Sequence, residues 1–342
     1  MTVAIAPLTT EHVPEAAALL DRWYGKARRG LPLQPGRAAA SPGGEELLGK
    51  ILAGPGTEAV ASRGGDGAMT GYLAATPLDL ADDDRAALRA YPRSALVGYG
   101  GHALRGGREG QGLRDDVLRG LYATVAQRLV ADRRYVHYVD LPADDEAALA
   151  WFRCGFGLER VRGLMAVRPK GRQPRGVDAL SVRRAGPGDL DRIGRMAVEA
   201  ARADRGSAVF RPQPEPALAT LRTHYAGALA DSRSGAWVAL RRGEEIGMVV
   251  LIPAEPGPVV PEGCVELVEA YVTHVARGEG ISRVLLATAL AWAYDHGYRH
   301  ITASWSAGSP VSAANWPAVG FRPVGYRLQR VLDPRMWATP HR

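Results

Sequence analysis

Apolar positions along the chain repeat with two periods, the two-residue period of a half-buried strand and the 3.6-residue period of an amphipathic helix. The clearest change from one period to the other lies at residues 264–293. Residues 264–273 (CVELVEAYVT) alternate loosely and are rich in β-branched side chains, which predicts a strand. Residues 277–282 (RGEGIS) contain two glycines, and after them apolar side chains recur at helical spacing as far as Ala293. The pattern therefore predicts a strand, a short loop and a helix.

The same succession of elements is predicted twice along the chain. The first part opens with a strand at residues 3–5 and a helix at 10–24, and a later part opens with a strand at 180–184 and a second helix. Two predicted hairpins follow, at residues 58–76 and 236–252. The chain therefore reads as an internal repeat of one α/β unit.

A short motif supports the repeat and sets its boundaries. AWFRCGF at residues 150–156 corresponds to NWPAVGF at 315–321, at a spacing of about 165 residues. Residues 169–178 are rich in Pro, Gly and basic side chains, as linkers often are. We therefore predict two α/β domains, residues 1–168 and 179–342, joined by a linker at 169–178.

The loop at residues 277–282 has the composition of a phosphate-binding turn. The free N–H groups in the first turn of a helix point at an anion, and the helix dipole favours negative charge there. Glycines allow a tight turn and a close approach of the ligand to the backbone. The patterns G-x-G-x-x-G and G-x-x-x-x-G-K-[ST] are both absent. An ordinary strand-to-helix turn is the alternative interpretation.

Arg277, Gly280 and Ser282 resemble the R/Q-x-x-G-x-G/A signature of the GNAT acetyltransferase superfamily, with Ser282 as a small departure. Residues 309–321 (SPVSAANWPAVGF) are similar to the family segment that ends in Gly-Phe, and residues 324–331 follow as a closing strand. The resemblance implies a tandem GNAT protein, in which each domain is a mixed, mostly antiparallel twisted sheet flanked by helices.

The resemblance also implies which residues bind acetyl-CoA, the co-substrate of the family. These are residues of the strand, the loop and the segment that follows: Tyr271, Val272, Thr273, Arg277, Gly278, Glu279, Gly280, Ile281, Ser282, Ser309 and Trp316. A second glycine-rich stretch at residues 105–114 is followed by Asp115 and Asp116, which would lie where phosphates bind. The N-terminal domain is therefore predicted to be degenerate and the C-terminal domain to bind the cofactor.

Glu266 and Glu269 are the candidates for the general base. They are the carboxylates of an otherwise apolar strand, and burial raises the pKa of a carboxylate towards the neutral range in which a base works. By resemblance, a Glu eleven residues before the first Arg of the loop is the base in histone-type members, which here is Glu266. The alternative is that both side chains face solvent or pair with arginines.

The proton for the leaving thiolate has no obvious source. Many relatives carry a tyrosine at the position of Trp316, and an indole N–H is a poor acid. The preceding Asn of the family segment is replaced by Ser309. Water, Tyr326 or Ser309 could supply the proton, and Tyr326 is included among the candidate catalytic residues.

Composition limits which other classes of protein the chain could belong to. The 342 residues carry a net charge of +7, but the arginines are scattered and acidic residues interleave with them, which speaks against nucleic-acid binding. No apolar run approaches the roughly 18 residues of a membrane span, and no signal peptide is recognisable. The two cysteines show no metal-binding spacing. We expect a cytoplasmic monomer or homodimer without metal.

We therefore expect an acetyl-CoA-dependent N-acetyltransferase that acts on an amine of a small molecule or peptide, with the C-terminal domain catalytic. Contacts with the acceptor are expected from variable loops such as residues 25–44 and 205–216. Two alternatives stay open. One is a non-catalytic protein that binds or senses acyl-CoA, which the absent tyrosine favours. The other is an aminoacyl-tRNA-dependent transferase, against which the lack of clustered basic residues speaks.

Overall fold

The computed structural model describes residues 4–28, 43–105, 111–169, 179–204 and 213–335. The predicted linker at 169–178 lies outside these ranges except for its first residue. Most of each predicted acceptor loop, at 25–44 and at 205–216, also lies outside them, as does half of the glycine-rich stretch at 105–114. Residues 4–169 are termed the N-terminal half and residues 179–335 the C-terminal half.

The N-terminal half contains the predicted first strand and helix and the predicted hairpin. Its elements are β1 (Ala4–Pro7), α1 (Val13–Arg28), α2 (Gly44–Leu52), β2 (Glu58–Arg63), β3 (Met69–Asp79), β4 (Arg93–Val97), β5 (His102–Leu104), α3 (Gln111–Ala131), β6 (Val136–Pro142), α4 (Asp145–Phe152) and β7 (Gly157–Ala166). The predicted strand, helix and hairpin correspond to β1, α1, β2 and β3.

The C-terminal half repeats that order, with α6 and α7 as helices that the sequence analysis did not predict. Its elements are β8 (Leu180–Arg184), α5 (Leu190–Asp204), α6 (Glu215–His224), α7 (Ala226–Ala230), β9 (Gly235–Arg241), β10 (Glu244–Pro253), β11 (Cys264–Val272), α8 (Ile281–Asp295), β12 (His300–Ser306), α9 (Pro310–Ala318) and β13 (Arg322–Val331).

The described strands form one continuous sheet in the order β1-β2-β3-β4-β6-β13-β7-β12-β11-β10-β9-β8, with β5 paired to β3. Neighbours are antiparallel except for the pairs β4/β6 and β11/β12. In the N-terminal half, one apolar cluster contains residues of α1 and α2 and another contains residues of α3 and α4. The C-terminal half likewise packs α5 and α6 in one cluster and α8 in another. This arrangement confirms the predicted fold class.

The two halves exchange their last strands. β13, the final strand of the C-terminal half, lies between β6 and β7 of the N-terminal half, and β7 in turn pairs with β12. Arg327 on β13 donates to the Asp140 carboxylate on β6 through Nε and Nη2, at 2.7 and 2.8 Å. The sequence predicts β13 as a strand but not its partners, because an apolar pattern carries no information about pairing.

The parallel strands β11 and β12 separate along their length. They pair at Cys264–Leu267 and His300–Ala303, and beyond Leu267 the edge of β11 that faces β12 has no strand partner among the described residues. A β-bulge marks the point of separation, since Val250 of β10 opposes Glu269 and Leu251 opposes Leu267, which leaves Val268 unpaired. The resulting fork is where the candidate site lies.

No helix in the described ranges has both the length and the apolar character needed to cross a membrane. 

Candidate functional site

A cavity of about 190 Å³ occupies the fork between β11 and β12. Its walls come from the ends of both strands, from α5, α6 and α9, and from two segments of the N-terminal half. The lining residues used below are Arg85, Arg89, Arg160, Tyr225, Glu269 and Trp316. The site is therefore built by both halves of the chain.

Glu269 points into this cavity from the bulge of β11. Its carboxylate accepts a hydrogen bond of 2.8 Å from the Tyr225 hydroxyl at the end of α6. Burial raises the pKa of Glu269, while the Tyr225 hydrogen bond and the positive charges of Arg89 and Arg85 act in the opposite direction. A carboxylate with a raised pKa in a partly closed cavity has the properties of a general base near neutral pH.

Glu266, the other carboxylate predicted for this role, has different surroundings. It is partly exposed, and its Oε1 lies 3.8 Å from Nη2 of Arg162 on the exchanged strand β7. It precedes the bulge, where β11 still pairs with β12, and it is not among the residues that line the cavity. Of the two glutamates, the structure brings only Glu269 to the cavity wall.

The glycine loop adopts the geometry expected of an anion cradle. Gly278 and Gly280 have φ values of 83° and 85°, in the left-handed region that favours glycine, and Gly280 is the N-cap of α8. None of the backbone N–H groups of residues 278–282 donates to a described protein acceptor, whereas those of Arg283 and Val284 bond to the Gly280 carbonyl. Five consecutive donors are thus available at the positive end of a helix, where a phosphate group binds favourably.

The charged side chains of the loop already have partners. Arg277 donates from Nε to the Val272 carbonyl at 3.1 Å, and its guanidinium lies 5.9 Å from the centre of the Tyr271 ring. Glu279 forms an ion pair with Arg241 at the end of β9. These contacts hold the loop against the sheet through its side chains, so its backbone N–H groups are not needed for that purpose.

The remaining predicted cofactor residues lie in three places. Val272 ends β11 opposite Gly247 of β10, and the Thr273 backbone N–H donates to the Ile246 carbonyl at 2.9 Å. Ile281 is buried and anchors the first turn of α8, while Ser282 is partly buried on that turn. These residues continue the open edge of β11 into the loop.

Ser309 and Trp316 belong to α9, the helix after β12. The Ser309 hydroxyl caps α9 by accepting from the Ser312 N–H at 3.4 Å. Trp316 lines the cavity and packs edge-on against Phe321, with 5.6 Å between the ring centroids. Ser309 therefore serves as a helix cap and Trp316 as part of the cavity wall, and neither side chain is a strong acid.

Tyr326 is not brought to the cavity. Because of the strand exchange, β7 separates β13 from β12, and the Tyr326 hydroxyl donates to Asp145 Oδ1 on α4 at 3.1 Å. Burial and the hydrogen bond to Asp145 raise the pKa of Tyr326 to about 12. The suggestion that Tyr326 protonates a thiolate in the C-terminal site is therefore not supported by its position.

Arg85 and Arg89 are the cavity residues that the sequence analysis missed. Arg85 begins the 3₁₀ turn Arg85–Leu88 of the N-terminal half and Arg89 follows it directly. Ala87 and Leu88 of this turn pack in the same apolar cluster as Leu221 of α6. That packing places both arginines at the cavity wall. No periodic pattern links this turn to a helix so distant in sequence.

The N-terminal half has a larger cavity of its own, about 410 Å³, between α1, β5, α3 and α4. His102 in its wall accepts from the Trp151 indole N–H at 3.3 Å, so Nε2 is the acceptor and Nδ1 carries the proton. Burial lowers the pKa of His102 to about 4, and Nδ1 has no partner among the described residues. The N-terminal half thus retains a cavity with a buried hydrogen-bond donor.

Residues 198–321 match the Acetyltransferase (GNAT) family. Among solved structures, a GCN5-related N-acetyltransferase from Sphaerobacter thermophilus is 16% identical, covers 96% of this chain and 95% of its own, and has a TM-score of 0.56. A tandem GNAT protein from the clavulanic acid biosynthesis pathway, solved without acetyl-CoA, is 15% identical over 100% of both chains, with a TM-score of 0.51.

A third structure shares the fold across most of the chain. It is the GCN5-related glucosamine N-acetyltransferase region of a fungal multi-domain GH3 beta-N-acetylglucosaminidase, which is 13% identical and covers 96% of this chain but 38% of its own, with a TM-score of 0.53. No curated protein matches the chain. At these identities the structural likenesses establish the fold.

Proposed function

The chain carries a GNAT acetyltransferase domain within a tandem GNAT fold, and from this we propose that it is an N-acetyltransferase that uses acetyl-CoA as the acyl donor. The observation that carries the proposal is the combination, on one fork, of five N–H groups at residues 278–282 without a described protein acceptor and the partly buried carboxylate of Glu269. The first suits a pyrophosphate and the second suits proton removal from an ammonium group.

In the proposed complex the pyrophosphate of acetyl-CoA binds the N–H groups of the loop and the N-terminus of α8. The pantetheine arm follows the open edge of β11, whose free backbone groups pair with its amides as a neighbouring strand would. This arrangement directs the thioester towards the cavity that contains Glu269. The acceptor amine then reaches the thioester from the side formed by α5, α6 and the N-terminal half.

The proposed reaction is a nucleophilic acyl transfer. Glu269 takes a proton from the ammonium group of the acceptor, and the freed nitrogen lone pair attacks the thioester carbonyl carbon. The C–S bond breaks, the CoA thiolate leaves with its electron pair, and it takes up the second proton that the nitrogen loses. Trp316 offers only an indole N–H and the Tyr225 hydroxyl already donates to Glu269, so the proposal assigns this last transfer to solvent.

The test compares two conservative variants of one strand, Glu269→Gln and Glu266→Gln, in an assay for free CoA thiol with a panel of amines. Glu269→Gln is expected to lower kcat at least about tenfold, since general bases contribute a factor of about 10² to 10⁴. The Kd for acetyl-CoA, measured by calorimetry, should not change. Glu266→Gln serves as the matched control and should change kcat less than about threefold. The reverse result would assign the base to Glu266.

A second candidate is a non-catalytic acyl-CoA sensor. The observation that favours it is the surroundings of the two candidate side-chain acids: the Ser309 hydroxyl caps α9, and the Tyr326 hydroxyl is bonded to Asp145. The same experiments distinguish the two functions. Binding of acetyl-CoA without thiol release for any amine in the panel would favour the sensor.

A further inference from the structure

Arg85 and Arg89 give the acceptor side of the cavity an unbalanced positive charge. Within the described part of the chain, neither guanidinium forms an ion pair or a hydrogen bond, although both lie close enough to Glu269 to influence its pKa. Arg160, the third arginine of the wall, lies 3.3 Å from the carboxylate of its neighbour Glu159. Two unpaired guanidinium groups thus share the cavity with the one carboxylate of Glu269.

In the absence of a ligand, the location of these two arginines is unfavourable in electrostatic free energy. Burial, followed by repulsion from Arg89, lowers the pKa of Arg85, which means that its charge is poorly solvated. Two like charges four residues apart on one turn also repel each other. An anion between them would restore the lost interactions, and a guanidinium binds a planar carboxylate through two parallel hydrogen bonds.

The position of Glu269 determines what else the ligand must carry. The carboxylate of Glu269 attracts an ammonium group, while the arginines, from the other half of the chain, attract an anion. A ligand with both charges would satisfy both walls of the cavity at once. The limited volume of about 190 Å³ favours a compact anion over a bulky one.

We infer that the acceptor is a small amine that also bears a carboxylate, and that Arg85 and Arg89 of the N-terminal half bind this carboxylate while Glu269 faces the amine. This inference rests on the proposed function for the identity of the amine as acceptor. It gives the N-terminal half a direct part in recognising the substrate of the C-terminal half.

The first experiment compares matched acceptors in the thiol-release assay: L-leucine with 3-methylbutylamine, and L-phenylalanine with phenethylamine. In each pair the two amines differ only by the carboxylate. The wild-type protein should acetylate the carboxylate-bearing member with a kcat/KM at least about tenfold higher, as expected for a charge-assisted pair of hydrogen bonds. Equal values, or a preference for the neutral amine, would overturn the inference while leaving the proposed function intact.

The second experiment measures binding and needs no turnover. N-acetyl-L-leucine and N-(3-methylbutyl)acetamide are titrated calorimetrically into the protein saturated with CoA. The N-acetyl amino acid should bind at least about tenfold more tightly, and Arg85→Gln with Arg89→Gln should remove the difference. If the carboxylate binds in this way and no amine is acetylated, the proposed function fails and the inference about the ligand stands. Absence of binding by either compound would overturn the inference.

The variants have two controls. Arg195→Gln removes an exposed charge from α5 outside the cavity and should leave both measurements unchanged. Arg85→Lys keeps the charge but loses the fork geometry, so it should recover part of the preference. The Kd for acetyl-CoA of every variant checks that the fold and the donor site are intact.

Discussion

Glu269 owes its orientation to a single extra residue in its strand. In a regular strand, residues two apart share a face, so Glu269 would point to the same side as Leu267, which belongs to the cluster under α8. The bulge at Val268 shifts this alternation, and Glu269 reaches Tyr225, which belongs to the cluster of α5 and α6. The carboxylate therefore lies on the side of the sheet that α5 and α6 cover, which is the side of the proposed acceptor.

The Tyr225 hydroxyl lowers the pKa of the proposed base, so its removal should shift the pH dependence of the reaction in a defined direction. The hydroxyl donates to the carboxylate, which stabilises the charged form and lowers the pKa of Glu269. In Tyr225→Phe this interaction is lost while the ring remains, so the pKa of Glu269 should rise. Because the base must be deprotonated to act, the acid limb of the kcat/KM profile should move to higher pH. A pH–rate profile of wild type and variant checks this, and a shift to lower pH would contradict it.

The sequence identifies both carboxylates of this strand, and the family resemblance favours Glu266, but the sequence does not show which of the two faces the cavity. Glu266 and Glu269 stand out in the pattern because they interrupt an apolar run. The choice depends on the bulge, and a bulge is set by the pairing of β11 with β10 rather than by the residues of β11 alone. Arg85, Arg89 and Tyr225 were missed for a similar reason, since nothing in the sequence relates them to Glu269.

At the scale of elements, the loop between β11 and α8 was predictable because its conformation is set by residues that are adjacent in sequence. Strand, glycines and helix follow one another directly, and the backbone conformation of residues 278–280 depends on the glycines at Gly278 and Gly280. The helices and strands with clear periods were predictable on the same grounds. The fork, by contrast, requires two strands to separate, and the residues of one strand do not specify where its pairing with another strand ends.

Gly280→Ala should weaken acetyl-CoA binding without unfolding the protein. No atom lies within 4 Å of the Cβ that the variant would add, so the effect comes from the φ of 85° alone. A non-glycine residue in that region costs roughly 1–2 kcal/mol, and relaxation of the backbone would redirect the N–H groups of the loop. The Kd for acetyl-CoA should rise about tenfold or more.

The matched control for this variant is Gly188→Ala in the 3₁₀ turn Pro187–Asp189. It also has no atom within 4 Å of the added Cβ, but its φ is not in the left-handed region. Its Kd for acetyl-CoA should equal that of wild type. An unchanged Kd in Gly280→Ala would remove the loop from the cofactor site.

At the scale of the whole molecule, the strand exchange joins the two halves through one sheet. β7 and β13 each complete the sheet of the opposite half: Val161 of β7 lies in the apolar cluster of α8, and Leu328 of β13 lies in the cluster of α3 and α4. The sequence predicts two repeated units, which describes the order of elements correctly. The sequence contains no sign of the exchange. The apolar side chains of β7 and β13 would be buried equally well whether each strand paired within its own half or with the opposite half.

Gly163→Val tests how strongly the exchanged strand couples the halves. Gly163 on β7 faces Trp305 of β12, and an added Cβ would lie 2.6 Å from two atoms of the indole ring. Overpacking of this kind costs about 1–3 kcal/mol, so the urea midpoint should fall. Because both halves share the sheet, fluorescence and circular dichroism should report one common transition.

The control is Gly157→Ala on the same strand. Its added Cβ meets no atom within 4 Å, so the urea midpoint should equal that of wild type within error. Separate transitions of the Gly163→Val variant would indicate that the halves unfold independently.

The exchange also has a consequence for the order in which the protein is made. Asp140 and its partner Arg327 are 187 residues apart in the chain, so β6 leaves the ribosome long before the strand that covers its edge has been translated. Until then the nascent N-terminal half exposes an open edge between β6 and β7, which is the kind of surface that favours aggregation. The synthesis of the last strand therefore completes both halves together, and a chain stalled before β13 leaves its first half unfinished.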